Sequence, residues 1–87
     1  MKNFYVYMIL SNLKKKIFTY VGYTNNLKNR LTLHNSSKGA KFTKGKKWKY
    51  IYIKKYNSKS LAMKNEYLLK KDRKKRNLIK LNHINKL

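Results

Sequence analysis

The chain contains no cysteine and no proline, only three glycines, and only two acidic residues, Glu66 and Asp72. Without cysteine, neither a disulfide nor a cysteine-ligated zinc can hold the fold, so packing must do it, and a reducing, cytoplasmic setting is the expectation. No stretch rich in proline, glycine or serine marks a linker, and no segment repeats. The 87 residues, 41% of them hydrophobic, are therefore expected to form one domain over residues 1–87 around one core. Long apolar runs are missing too, and nothing approaches the roughly 18 residues that a membrane span requires. The apolar opening "MKNFYVYMIL" runs into "SNLKKK" without a small-residue cleavage site, which argues against a signal peptide. A soluble chain with no membrane partner is expected.

What the chain has in excess is positive charge: 24 lysines and arginines against two acids give a net +22. Such a field favours polyanions, because each phosphate neutralised releases condensed counterions and association is steered from a distance. Nucleic acid is the expected partner, DNA first and RNA as the alternative. Lysine supplies 21 of the 24 cations, in company with much Asn, Ile and Tyr. Compositional drift is thus the competing explanation. No long amphipathic helix pairs a basic face with a bulky apolar one, so an anionic membrane surface is a poorer fit.

Residues 4–10 and 17–23 are aromatic, β-branched or aliphatic throughout and read as a hairpin whose connector, 11–16, is longer than two residues. Asn25 and Asn26 offer caps, and Leu27, Leu31 and His34 follow at helical spacing, which predicts a helix to about Asn35. The segment "SSKGAKFTKGKKW" holds two glycines and five lysines and reads as a basic loop with at most one helical turn. A third strand is predicted over 48–56, with Trp48, Tyr50 and Tyr52 on one face. Leu61, Ala62, Leu68 and Leu69 predict a helix carrying Glu66, and Asp72 caps a last helix that uses Leu78, Leu81 and Ile84. The predicted fold class is α+β: a small three-stranded antiparallel sheet flanked by helices, in the order β-β-α-β-α-α.

The hairpin carries Tyr5-Val6-Tyr7 and Tyr20-Val21-Gly22, with 12 residues between Tyr7 and Tyr20; Arg30 lies ten positions past Tyr20, His34 one turn later, and the only glutamate, Glu66, on a later helix. This arrangement resembles the GIY-YIG nuclease family over essentially the whole chain. It is most similar to the small single-domain bacterial branch that resembles the excision-repair nuclease domain. That branch has a "GAKYT"-like segment, matched here by residues 39–43, "GAKFT". The chain departs from the family pattern at Tyr5, where the name-giving motif has glycine, and at Tyr23, where the repair nucleases have lysine. Asn77, Asn82 and Asn85 are alternative matches to the late asparagine that some members use.

Phosphodiester hydrolysis needs a base to activate water, cationic stabilisation of the pentacovalent charge, and a metal or acid behind the leaving oxygen. The resemblance implies Glu66 as ligand of one divalent cation, Mg²⁺ or Mn²⁺, with Arg30 contacting the scissile phosphate. It further implies Tyr7 or Tyr20 near the nucleophilic water and His34 positioning a phosphate or a tyrosine. Taken alone, the residues leave other roles open: Glu66 is spaced to pair with Lys70, worth only ~0.3–0.5 kcal/mol, Tyr7 and Tyr20 suit a half-buried sheet, and His34 suits a packed helix. Arginine's fork favours bidentate phosphate contact for Arg30. Lys41, Lys44, Lys46 and Lys47 are expected to track the DNA backbone without reading sequence. The aromatic stripe of the third strand is read as core rather than as a stacking surface. The expectation is a metal-dependent DNA endonuclease, with a non-catalytic nucleic-acid-binding module on the same scaffold as the alternative.

Overall fold

The computed structural model describes residues 3–86. Strands β1 (Phe4–Leu13) and β2 (Lys16–Thr24) lead into helix α1 (Leu27–Asn35), a 3₁₀ turn (Lys41–Thr43), strand β3 (Lys49–Tyr56) and helices α2 (Lys59–Lys71) and α3 (Arg73–Asn85). The α+β class, the element order and the antiparallel three-stranded sheet are those expected. β1 is the central strand, with β2 and β3 at its edges.

That central position explains the continuous apolar run in β1. Residues 6–11 are all buried, because helices cover both faces of the strand and neither parity is left to water. On one face Tyr7, Ile9 and Trp48 pack with Leu27 and Leu31 of α1. On the other Val6, Met8 and Val21 pack with Ala62 and Leu69 of α2, joined by Ile79 of α3. The helices start where side-chain acceptors meet free amides: Asn26 Oδ1 accepts from Asn29 N at 3.0 Å, Ser58 Oγ from Leu61 N at 3.2 Å and Asp72 Oδ1 from Lys75 N at 3.0 Å.

Three expectations are corrected. The hairpin connector is only two residues, since Leu13 pairs with Lys16; Lys14 and Lys15 both take positive φ, 52° and 66°. The strands' right-handed twist selects a two-residue turn of this hand even without Asn or Gly to ease it. Tyr52 does not share a face with Trp48 and Tyr50. Met8 pairs with Tyr52 and Ile9 with Tyr50, so Ile51 is the extra residue of a bulge that turns Tyr52 toward the α2 and α3 face. Finally, Leu61, Leu68, Leu78 and Leu81 are exposed. The sheet is too small to bury a wide stripe of either helix, and each makes its contact through fewer residues, Ala62 and Leu69 on α2 and Ile79 on α3.

Candidate active site

Tyr7 stands in the middle of β1, on the α1 face, directly opposite Gly22 of β2. A Cβ at Gly22 would collide with the Tyr7 hydroxyl and lie 2.6 Å from its Cζ. The glycine of the second strand motif thus lets the Tyr7 ring lie across β2. From there its hydroxyl reaches two residues one turn apart on α1: His34 Nε2 is 2.8 Å away, and Arg30 Nε–H donates to the phenol oxygen at 3.3 Å. Leu27 and Leu31 dock α1 on the sheet beside Tyr50, whose hydroxyl donates to Leu27 O at 2.6 Å. The packing that holds the helix therefore also fixes the reach of Arg30 and His34.

His34 is completely buried. Its second nitrogen, Nδ1, lies 2.9 Å from Thr43 Oγ1, and that hydroxyl donates to Ala40 O at 2.7 Å. The basic loop closes over the histidine here: Thr43 is fully buried, Trp48 Nε1–H donates to Thr43 O at 3.0 Å, and a Cβ at Gly39 would come 2.5 Å from His34 Nδ1. The ring of Tyr20 stands edge-on to that of His34, 5.4 Å between centroids.

Burial, and secondarily the Arg30 charge, push His34 down to about 4, so its imidazole is neutral at pH 7. Tyr7 is raised, chiefly by burial; Arg30 opposes this through its hydrogen bond and charge, while Tyr20 and Glu66 add to it. Arg30 is raised in turn, first by its bond to Tyr7. Burial pushes Tyr50 up to about 12, which keeps it a phenol and a structural donor.

Glu66 approaches from α2, packed on the opposite face, near enough for its charge to bear on Tyr7. Its Oε1 pairs with Lys70 Nζ at 3.5 Å, and that ammonium also lies 5.8 Å from the Tyr20 ring centroid. Among the described residues no three His, Cys, Asp or Glu side chains cluster. Glu66 offers one hard, anionic, half-buried oxygen donor. That fits a cation such as Mg²⁺, which keeps several waters and draws further ligands from a substrate phosphate, rather than a cage built of protein groups alone. A cleft of about 410 Å³ lined by Phe4, Tyr23, Thr24, Asn25, Arg30 and Lys59 opens beside Arg30.

Tyr7, Arg30 and His34 are thus joined by hydrogen bonds and Tyr20 by ring contact, whereas Glu66 is paired with Lys70 on α2. Lys41, Lys44 and Lys47 are exposed, whereas Lys46 folds back, donating to Phe42 O at 3.0 Å with its ammonium 5.0 Å from the Phe18 and Phe42 ring centroids. Asn77, Asn82 and Asn85 are exposed along α3. Sequence reasoning missed Thr43. The sequence signal for it is the glycine-containing "GAKFT" segment.

The Tyr7 phenol is thus held between a guanidinium and an imidazole. The GIY-YIG catalytic domain family matches residues 3–82. The chain belongs to that nuclease-type family. It is similar to a UPF0213 protein of Oceanobacillus iheyensis, at 50% identity over 59% of this chain and 60% of the relative. A UPF0213 protein of Staphylococcus haemolyticus is 39% identical over 80% and 83%, and an uncharacterized protein of Acanthamoeba polyphaga mimivirus 39% identical over 100% and 54%. The chain spans about 54–60% of the length of the first three relatives it matches. No solved structure matches it at a significant level.

Proposed function

We propose that the chain is a metal-dependent DNA endonuclease that hydrolyses phosphodiester bonds, with repair or recombination intermediates as its substrates. The observation that carries this reading is the run of hydrogen bonds from Arg30 through Tyr7 to the buried His34. Its polar groups converge on one phenol oxygen instead of being shared out among the core.

In the reaction, Arg30 uses Nε to hold Tyr7 and keeps the rest of its five-donor fork for phosphate oxygens. The Tyr7 oxygen takes a proton from the attacking water as its own proton passes to His34 Nε2. Burial opposes imidazolium at His34, but a bound phosphate opposes burial, because its negative charge favours a cation beside it. Tyr20 walls the His34 ring. Glu66 is the residue that would hold Mg²⁺ or Mn²⁺, and such a cation, when bound, supplies the Lewis-acid stabilisation of the leaving oxygen that these side chains lack. To bind it, Glu66 must loosen its pair with Lys70, a partly exposed contact that costs little to open.

That same ion pair favours a second reading, a basic nucleic-acid-binding module in which Glu66 is only a helix-surface partner. Incubation with duplex, nicked, flap, branched and single-stranded DNA, each with Mg²⁺, Mn²⁺ or a chelator, separates the two. Endonuclease action predicts metal-dependent cleavage of at least one form and none in chelator. Binding to every form with cleavage of none would favour the module.

A further inference from the structure

The geometry around His34 points to Thr43 as a positioning residue: we propose that its hydroxyl fixes which nitrogen of His34 is free to take the Tyr7 proton. The proposal rests on the nuclease reading above. Thr43 has one hydroxyl proton and gives it to Ala40 O at 2.7 Å. Toward His34 Nδ1, 2.9 Å away, the same oxygen can only accept, so Nδ1 carries the ring proton. A neutral imidazole has a single N–H, which leaves Nε2 bare, and the 2.8 Å contact with Tyr7 is then the phenol donating to Nε2. Arg30 Nε–H donating to the Tyr7 oxygen agrees with this direction, since the phenol proton is already committed elsewhere.

Were the Thr43 hydroxyl turned toward Nδ1 as a donor, the ring proton would sit on Nε2, facing Tyr7, and Tyr7 would have nowhere to send its own. That rotation would forfeit the 2.7 Å bond to Ala40 O. The carbonyl is held beside the hydroxyl by its second bond, from Thr43 N at 3.0 Å, and Trp48 Nε1–H holds Thr43 O at 3.0 Å. The other groups facing the ring are Tyr7 from β1, Tyr20 from β2 and Arg30 from α1. Thr43 is the one that meets Nδ1. The basic loop therefore does more than carry lysines: through Thr43 it sets the protonation pattern of the base it covers.

The test reads the tautomer directly. In the ¹⁵N-labelled protein, long-range ¹H–¹⁵N spectra of His34 report which nitrogen bears hydrogen, whether or not any DNA is cut. The expected result is Nδ1–H in the wild type and in Thr43→Ser, which keeps the hydroxyl, and Nε2–H in Thr43→Val, which keeps the shape without an acceptor. In parallel, Thr43→Ser should cleave close to wild type and Thr43→Val about 10²-fold more slowly or worse, with unchanged DNA affinity in chelator. Nε2–H in the wild type, or Nδ1–H persisting in Thr43→Val, overturns the proposal. If Thr43→Val does not fold, the wild-type and Thr43→Ser spectra decide it. A wrong tautomer with intact cleavage would reject the role of Thr43 and leave the nuclease reading standing, while a right tautomer with no cleavage would do the reverse.

Discussion

Tyr7 and Tyr20 look equivalent in sequence, each the aromatic of a short strand motif, yet their surroundings differ. Tyr7 is fully buried and its hydroxyl meets both His34 and Arg30, whereas Tyr20 is half-buried and contributes its ring, edge-on to His34 and stacked 6.3 Å from Phe42. Tyr7→Phe removes only the hydroxyl and strands two partners. Cleavage is expected to fall by about 10²–10⁴-fold, and stability by about 1 kcal/mol, the cost of leaving a buried polar group unpaired. Tyr20→Phe keeps the ring contacts and is expected to lose far less. Cleavage rates and urea midpoints of the two variants check this together, and equal losses would mean that the proton path does not run through Tyr7 alone.

The elements were largely legible in the sequence, and the site less so. Capping residues and apolar periodicity located α1, and the run of β-branched and aromatic residues located β1, because both signals depend on near neighbours. The bulge at Ile51 and the two-residue turn at Lys14 and Lys15 were not legible, since each is imposed by pairing with a partner strand and neither carries the glycine or asparagine that usually marks it. Likewise, helical spacing puts Arg30 and His34 on one side of α1, but the Thr43 contact depends on how a loop folds back, which no periodicity encodes. The turn itself gives a prediction. Two lysines at positive φ are strained, and Lys14→Asn with Lys15→Gly supplies residues that adopt this conformation readily. A gain of about 1 kcal/mol is expected, read as a rise in Tm of roughly 4–8 °C, with unchanged cleavage because the turn lies at the far end of the hairpin from Gly22. A fall in Tm would show that the lysines are stabilised there by something other than backbone geometry.

At the scale of the whole molecule, a charge of +22 on 87 residues favours polyanions of any sequence, so affinity alone would say little about function. If about six phosphates are contacted, the slope of log affinity against log salt should be near −5, at roughly −0.9 per phosphate. Replacing the exposed Lys41, Lys44 and Lys47 together should reduce it by up to about three without altering sequence preference. An unchanged slope would place the binding face on another surface. Cleavage must be separated from this background, and Glu66 is where the two part. Glu66→Gln keeps the helix and the side-chain volume but removes the charge a hard divalent cation needs. It also removes one of the two acids, so DNA affinity in chelator should hold or rise slightly. The decisive measurement follows cleavage by wild type and Glu66→Gln in Mg²⁺ and Mn²⁺, with affinity for the same DNA measured in chelator. The account predicts cleavage by the wild type, its collapse in the variant, and undiminished binding; a Glu66→Gln protein that cuts as the wild type does would contradict it.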